Sequence, residues 1–193
     1  MKLISTPIIH TKRLILRRFT MSDAPYIFKN WASDSEVTKY LSWKTHESEG
    51  DAIQFVNYIQ EKYKNQYINE WAIELKSISE PIGALRLSEY KDTTKSMTVG
   101  YCIGRPWWHQ GIASEALKAV IDYGFNIIGL ERIEADHDSR NPNSGKVMLG
   151  CGMSYRGMLR KEFYSNAGIG DTCIYDIIKD DLNNMKNNKA EVF

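Results

Sequence analysis

The chain has 193 residues, 42% of them hydrophobic and 25% charged, which suffices for a packed core and excludes a disordered or collagen-like protein. Its 25 Lys and Arg against 24 Asp and Glu give a net charge of +1, which excludes nucleic-acid binding through a broad basic surface. No apolar segment approaches the roughly 18 residues of a membrane span, and the N-terminus has no long apolar signal core. We therefore expect a cytoplasmic protein without a membrane partner.

The predicted elements form one domain over residues 10–182, followed by a polar tail at residues 183–193. The first half begins with an alternating strand, a helix that opens at Ser22-Asp23-Ala24-Pro25 and an amphipathic helix. The hydrophobic period then changes to two, which predicts an antiparallel meander of three strands. In chain order these elements are a strand at Leu14–Arg18, helices at Ser22–Ser33 and Ser48–Tyr63, and strands at Trp71–Leu75, Ile82–Leu87 and Met97–Ile103.

The second half alternates helices with strands. A helix from Ala113 to Phe125 follows the meander, and the next strand should lie parallel to Met97–Ile103 because the helix crosses back over the sheet. The remaining elements are a strand at Arg132–Asp138, a helix at Asn141–Cys151, and strands at Met153–Phe163 and Thr172–Lys179. The pattern predicts an α/β fold with a mixed sheet of about seven strands and about four helices.

No metal site is expected. The three cysteines, Cys102, Cys151 and Cys173, are an odd number without a CxxC spacing, which favours reduced buried thiols over a disulfide or a zinc site. The run from Glu134 to Asp138 contains three carboxylates and His137, but alternation along a strand places the histidine on the opposite side from the carboxylates.

The most informative stretch is Trp107-Trp108-His109-Gln110-Gly111-Ile112-Ala113-Ser114, between the end of a strand and an amphipathic helix. Small residues there let a ligand approach the backbone, and the free N–H groups of a first helical turn favour an anion. An ordinary helix start uses small residues too, so both interpretations stay open. Nucleotide-binding loops of the GxGxxG and GxxxxGK[ST] types are absent from the expected places.

Four landmarks in this order resemble the GNAT superfamily of acyl-CoA-dependent N-acetyltransferases, and specifically its RimJ/RimL-like branch of ribosomal-protein N-terminal acetyltransferases. The likeness spans about residues 10–182. The landmarks are Thr11–Arg17 with Ser22-Asp23-Ala24, Val37–Trp43, Val99–Ile103 running into Trp108–Leu117, and Asn141-Pro142-Asn143-Ser144 leading to Gly152-Met153.

The resemblance implies the GNAT fold, in which the fourth and fifth strands form a parallel pair that splays apart. Acetyl-CoA would fill that gap, with its pantetheine against Tyr101, Cys102 and Ile103. Its pyrophosphate would lie on the N–H groups of Gln110, Gly111, Ile112, Ala113 and Ser114. Asn141 would contact the pantetheine, although it is equally suited to cap the helix opened by Pro142. Ser144 would lie near the sulfur, as a proton donor or only as a hydrogen-bond partner.

The chain departs from the family pattern in two places. His109 stands where the family usually has a glycine, and Thr98 stands where many members of the branch have an acidic residue. A general base is therefore unassigned, with Glu162, Glu89 and Asp136 as candidates that act through a water. Tyr40 and Trp43 are expected either to line an acceptor groove or to pack as a flap, and Tyr175 is either packing or site wall.

The expected function is transfer of acetyl from acetyl-CoA to a primary amine by direct attack in a ternary complex, without a metal. A protein N-terminal amine is the favoured acceptor. The alternatives are a small-molecule or antibiotic amine as acceptor, or a module that binds acyl-CoA without turnover. The sequence leaves open whether the protein is a monomer or a homodimer.

Overall fold

The computed structural model describes residues 6–64 and 69–182, and the tail predicted at residues 183–193 lies outside these ranges. The described chain forms one mixed sheet of eight strands in the order β1-β2-β3-β4-β5-β6-β8-β7. All neighbouring strands are antiparallel except β5 and β6, which are parallel. The strands are β1 (Ile9–His10), β2 (Leu14–Arg17), β3 (Asn69–Leu75), β4 (Glu80–Lys91), β5 (Ser96–Ile103), β6 (Arg132–Asp138), β7 (Ser154–Ser165) and β8 (Gly168–Ile178).

Five α-helices between β2 and β7 cover the two faces of the sheet, and a further helical segment begins at residues 179–182 within the described chain. Alternate strand residues enter different cores, because Trp71 and Ile73 pack with α4 whereas Ala72 packs with α1 and α3. The helices are α1 (Ala24–Ile27, extended by a π-helical turn at Phe28–Ala32), α2 (Ser35–Thr38), α3 (Glu49–Lys62), α4 (Ile112–Tyr123, extended by a π-helical turn at Gly124–Ile128) and α5 (Pro142–Gly150).

This architecture confirms the predicted fold class and differs from the prediction in two short elements. Strand β1 has two residues and α2 has a single turn, so neither is long enough to show a hydrophobic period. The helix α2 depends instead on the Asp34 side chain, which accepts a hydrogen bond from the Glu36 N–H. The strand predicted at Arg132–Asp138 has those bounds in the structure.

The parallel strands β5 and β6 separate part of the way along their length. They are in register from Ser96 opposite Arg132 to Val99 opposite Ala135, and they are not paired beyond that point. Strand β5 nevertheless continues to Ile103 against β4, and β6 continues to Asp138 against β8. Each strand therefore keeps its outer partner while the two inner edges separate, which confirms the splayed pair.

Hydrogen bonds among Thr11, Arg13 and Glu115, together called the polar latch, fix the start of α4 to the chain around β2. The Glu115 carboxylate accepts hydrogen bonds from Thr11 Oγ1 at 2.6 Å, from the Arg13 N–H at 2.8 Å and from Arg13 Nε at 2.6 Å. Arg13 Nη1 also donates to the Gln110 carbonyl at 2.8 Å. The latch therefore holds the bend before α4 in a defined position.

Helix α5 lies so close to the sheet that only glycine fits at position 145. A Cβ on Gly145 would lie 2.7 Å from His137 Nε2 and 2.7 Å from the Tyr175 hydroxyl. Any side chain there must displace the rings of His137 and Tyr175 or move α5 away from β6 and β8. Gly150 is in the same helix, and a Cβ on it would meet nothing within 4 Å.

We expect Gly145→Ala to lower the free energy of unfolding by about 1–3 kcal/mol, because it overpacks a tight contact. Gly150→Ala is the matched control, and it should be neutral or stabilising by up to about 1 kcal/mol. Urea denaturation of both variants measures the difference. Equal stability of the two variants would contradict the close packing of α5.

Candidate functional site

A cavity of about 500 Å³ opens where β5 and β6 separate, on the face of the sheet that carries α1 and α3. One wall is aromatic and comes from α3, from the segments on either side of α2, and from β7. Its members are Trp31, Tyr40, Trp43, Phe55, Tyr58 and Phe163. Tyr40 and Trp43, expected either to line an acceptor groove or to pack as a flap, both lie in this wall.

The floor of the cavity is charged and comes from successive strands of the sheet. Glu70 on β3 is in register with Arg86 on β4, and Arg86 is in register with Gly100 on β5. Arg86 extends over Gly100, since its Nε lies 3.2 Å from where a Cβ on that glycine would be. Asp136 on β6 completes the row. A cationic group in this cavity would meet two carboxylates and one guanidinium.

The sequence interpretation missed Glu70. The predicted strand began at Trp71, because Asn69 and Glu70 add no hydrophobic residue to the alternating pattern. In the structure β3 begins at Asn69, which turns Glu70 towards the cavity on the face opposite Trp71. The sequence did contain a signal for it. Extending the alternation of Trp71–Leu75 by two residues towards the N-terminus places Glu70 on the face opposite Trp71.

At one end of the cavity, Tyr101 and Ser144 form a hydrogen-bonded pair. The Tyr101 hydroxyl donates to the Ser144 carbonyl at 3.0 Å and lies 3.1 Å from Ser144 Oγ. Burial raises the pKa of the Tyr101 hydroxyl well above its ordinary value, so this hydroxyl stays protonated. The pair fixes Ser144 relative to β5.

Asn141 lies at the same end of the cavity, directly before α5. It occupies the N-cap position, but its side chain makes no capping hydrogen bond. No other described residue is a hydrogen-bond partner of its amide group. The amide group is therefore available to a ligand.

The bend before α4 carries a run of backbone donors. The N–H groups of Gln110, Gly111, Ile112, Ala113 and Ser114 donate no hydrogen bond to any other residue in the described ranges. Gly111 has a φ of 71° and His109 a φ of 58°, both left-handed, and Trp108 Nε1 ties the bend to the Ile103 carbonyl at 2.7 Å. An anion of phosphate size fits such an arrangement of donors.

Cys102 lies on β5 and lines the cavity. Burial raises the pKa of its thiol to about 12, so it stays protonated near neutral pH and is a poor nucleophile. Cys151 is also buried, and burial raises its pKa to about 11. Neither these two nor Cys173 takes part in a disulfide.

Of the remaining candidates, Asp136 lines the cavity and the others do not. Tyr175 is in the core, stacked on His137 with ring centroids 5.4 Å apart, and does not line the cavity. Glu89 and Glu162 are exposed and outside the cavity lining, whereas Asp136 is within it.

Within residues 6–64 and 69–182 there is no group of three metal-ligating side chains, and none of the helices there is long and apolar enough to cross a membrane.

Comparison with known proteins identifies the family. Residues 13–154 match the family model described as the acetyltransferase (GNAT) domain. YoaA, an uncharacterised N-acetyltransferase of Bacillus subtilis (strain 168), is 35% identical over 173 residues, which cover 90% of this chain and 97% of YoaA.

Solved structures agree in fold. A GNAT-family acetyltransferase from Bacillus anthracis superposes with a TM-score of 0.78 at 27% identity, over 90% of this chain and 99% of that one. RimL, a ribosomal L7/L12 α-N-protein acetyltransferase in complex with coenzyme A, superposes with a TM-score of 0.80 at 20% identity, over 91% of this chain and 99% of that one. The chain therefore belongs to the GNAT family and is an N-acetyltransferase.

Proposed function

We propose that this enzyme transfers the acetyl group of acetyl-CoA to a primary amine by direct attack in a ternary complex. The observation that carries the proposal is that two features follow one another along the chain at β5. The separated edges of β5 and β6 open into the cavity, and a bend with five unpartnered backbone N–H groups follows the end of β5. The reaction needs both a place for a long acyl carrier and a place for an amine.

The co-substrate would be bound mostly by backbone groups. The N–H groups from Gln110 to Ser114 would hold the pyrophosphate, aided by the positive end of the α4 dipole. The edge of β5 at Tyr101, Cys102 and Ile103 would pair with the pantetheine as an added strand would. The free amide of Asn141 would bind it from the other side of the gap. When bound, acetyl-CoA supplies a thioester carbonyl that an amine can attack.

Ser144 would donate a hydrogen bond or a proton to the sulfur of the leaving coenzyme A. Its hydroxyl lies at the cavity and is held by the protonated hydroxyl of Tyr101, so it can give a hydrogen bond or relay a proton. The direct route is favoured over an acetylated enzyme because the only cysteine in the cavity lining is Cys102, whose thiol stays protonated near neutral pH.

The favoured acceptor is a protein N-terminal amine, as in the RimJ/RimL-like branch. Its pKa of about 7.7–8.0 leaves a substantial neutral fraction near neutral pH, which eases attack. RimL, an α-N-protein acetyltransferase, has the same fold, which is compatible with this acceptor. A cytoplasmic location, as expected from the sequence, is part of the same proposal.

A small-molecule amine is the second candidate, and one observation favours it. The aromatic wall of the cavity contains six side chains, which suit a compact cationic or apolar amine. The same panel of acceptors tests both candidates.

We expect Gly111→Leu to weaken acetyl-CoA binding at least about tenfold. The left-handed φ of 71° costs a bulky residue about 1–2 kcal/mol, and relief of that strain would move the backbone donors. Gly129→Leu is the matched control, because Gly129 also has a left-handed φ, of 81°, and lies after α4, away from the bend. Calorimetry measures both affinities, and equal binding by the two variants would contradict the anion site.

We expect Ser144→Ala to lower kcat by about 10²-fold, the lower end of what a positioned proton donor contributes, with acetyl-CoA affinity within twofold of wild type. Tyr101→Phe should produce a smaller loss, since it removes only the group that orients Ser144. Steady-state kinetics with calorimetry separate the two effects. An unchanged kcat across the pH range would remove Ser144 from the mechanism.

The function itself is tested by thiol release from acetyl-CoA with a panel of peptides, polyamines, amino sugars and antibiotic amines. We expect acceptor-dependent release, fastest with a peptide whose N-terminal amine is free and absent with the same peptide blocked by acetylation. Faster release with a small amine would establish the second candidate. Binding of acetyl-CoA without release for any acceptor would show a module that binds acyl-CoA without turnover.

A further inference from the structure

We propose that Glu70 is the general base of the transfer, and that it accepts the proton of the acceptor ammonium directly or through one water. This inference rests on the proposed function and adds a residue that the family pattern does not supply here, since Thr98 stands where a carboxylate is usual. The carboxylate that performs this step would then come from β3 instead of β5.

The position of Glu70 suits this role. It lies two strands from the point where β5 separates from β6, in register with Arg86 and through it with Gly100. Neighbouring strands are about 4.8 Å apart, so its backbone is about 10 Å from Gly100. A glutamate side chain that lines the same cavity, followed by one water with hydrogen bonds of about 2.8 Å on either side, spans most of that distance.

The Glu70 carboxylate is also free to accept a proton. It makes no ion pair and accepts no hydrogen bond from any other described residue. Glu74, on the same face of the same strand, pairs instead with Arg17 at 2.5 Å. Glu74 is therefore committed to the fold, whereas Glu70 is available to a ligand.

The surroundings of Glu70 tune its proton affinity. Burial raises the pKa of its carboxyl to about 7, and the guanidinium of Arg86 opposes this rise. A base with a pKa near the working pH combines a large ionised fraction with a strong pull on the proton. The ionisable and charged groups around it are Arg86 on β4, Cys102 on β5, Asp136 on β6, Tyr58 and Tyr63 at α3, and His46 before α3.

The protons balance as follows. The acceptor ammonium gives one proton to the Glu70 carboxylate, and the neutral nitrogen attacks the thioester carbon. As the N–C bond forms and the C–S bond breaks, the second nitrogen proton passes through the Ser144 hydroxyl to the leaving sulfur. The Glu70 carboxyl then returns its proton to solvent, so each cycle forms one amide, one thiol and one free proton.

The other carboxylates are less suited to this step. Asp136 lines the cavity and burial raises the pKa of its carboxyl as well, but the residue is more exposed than Glu70 and lies at the strand gap where the co-substrate is proposed to bind. Glu89 and Glu162 are exposed and outside the cavity lining. Glu70 is thus the one carboxylate in the described chain that is partly buried, lines the cavity and makes neither an ion pair nor a side-chain hydrogen bond.

The test compares Glu70→Gln, Asp136→Asn and Glu89→Gln with the wild type, using the acceptor that the wild type acetylates fastest in the panel. The ratio of wild-type to variant kcat/KM is measured from about pH 5.5 to about pH 9.5, because the wild type can take the acceptor as the ammonium whereas the variant must wait for the neutral amine. We expect Glu70→Gln to lower kcat/KM about 10²-fold below neutral pH and progressively less above it, where the amine loses its proton without a base, with acetyl-CoA affinity within twofold. The ratio should show an inflection near pH 7.

Asp136→Asn should show no such inflection, and Glu89→Gln should leave the rate unchanged. An independent measurement is the infrared carboxyl band, which should titrate near pH 7 in the wild type and be missing from Glu70→Gln. A flat ratio for Glu70→Gln, or an inflection in Asp136→Asn instead, would overturn the assignment.

These results separate the two levels of the proposal. A wild type that releases no thiol with any acceptor overturns the proposed function, and the base with it. A wild type that is active while Glu70→Gln keeps its pH profile overturns only the role of Glu70. Circular dichroism of each variant verifies that a lost rate is not a lost fold.

Discussion

The separation of β5 and β6 is the constraint on which the rest of the structure depends. A parallel pair inside a sheet normally uses both edges of each strand for hydrogen bonds, and here the pairing stops at Val99 and Ala135. The outer neighbours β4 and β8 keep their register, so the gap is held open from both sides. Unpaired backbone edges inside a protein are costly unless a ligand or water satisfies them, so a ligand that pairs with these edges would remove this cost.

The two ends of the site are built differently. At the start of α4 the donors are backbone N–H groups, held in place by a bend with two left-handed residues and by the latch to Glu115. In the cavity the walls are side chains from strands and helices distant in sequence, such as Glu70 and Trp43. The first end is suited to a phosphate, and the second is suited to an amine.

Much of the fold could be predicted because its elements carry strong local patterns. The alternation in Arg132–Asp138 and the helical period after Ser48 place β6 and α3 within a residue of their bounds. The bend at Gly111 is equally local, since a glycine before an amphipathic helix indicates where the backbone can turn left-handed. The family resemblance supplied what periodicity cannot, namely that the parallel pair separates.

The site could be predicted only in part, because its side chains meet through long-range contacts. The hydrogen bond between Tyr101 and Ser144 joins residues 43 positions apart, and no local pattern announces it. Glu70 reaches the cavity through the register of β3 with β4, which depends on sheet pairing beyond its own strand. Tyr175 has the residue type of a site wall, but the close approach of α5 at Gly145 encloses it in the core.

Because the donors at the bend before α4 are backbone N–H groups, the sequence of the bend can change during evolution without loss of these donors. Every residue except proline offers the same N–H group, so the side chains at His109 or Gln110 can change while the donors remain. The cavity has no such tolerance, because each replacement of Trp31, Phe55 or Glu70 alters its shape or charge. Two homologous enzymes of this fold can thus bind the same acyl carrier and yet differ in the amine that they accept.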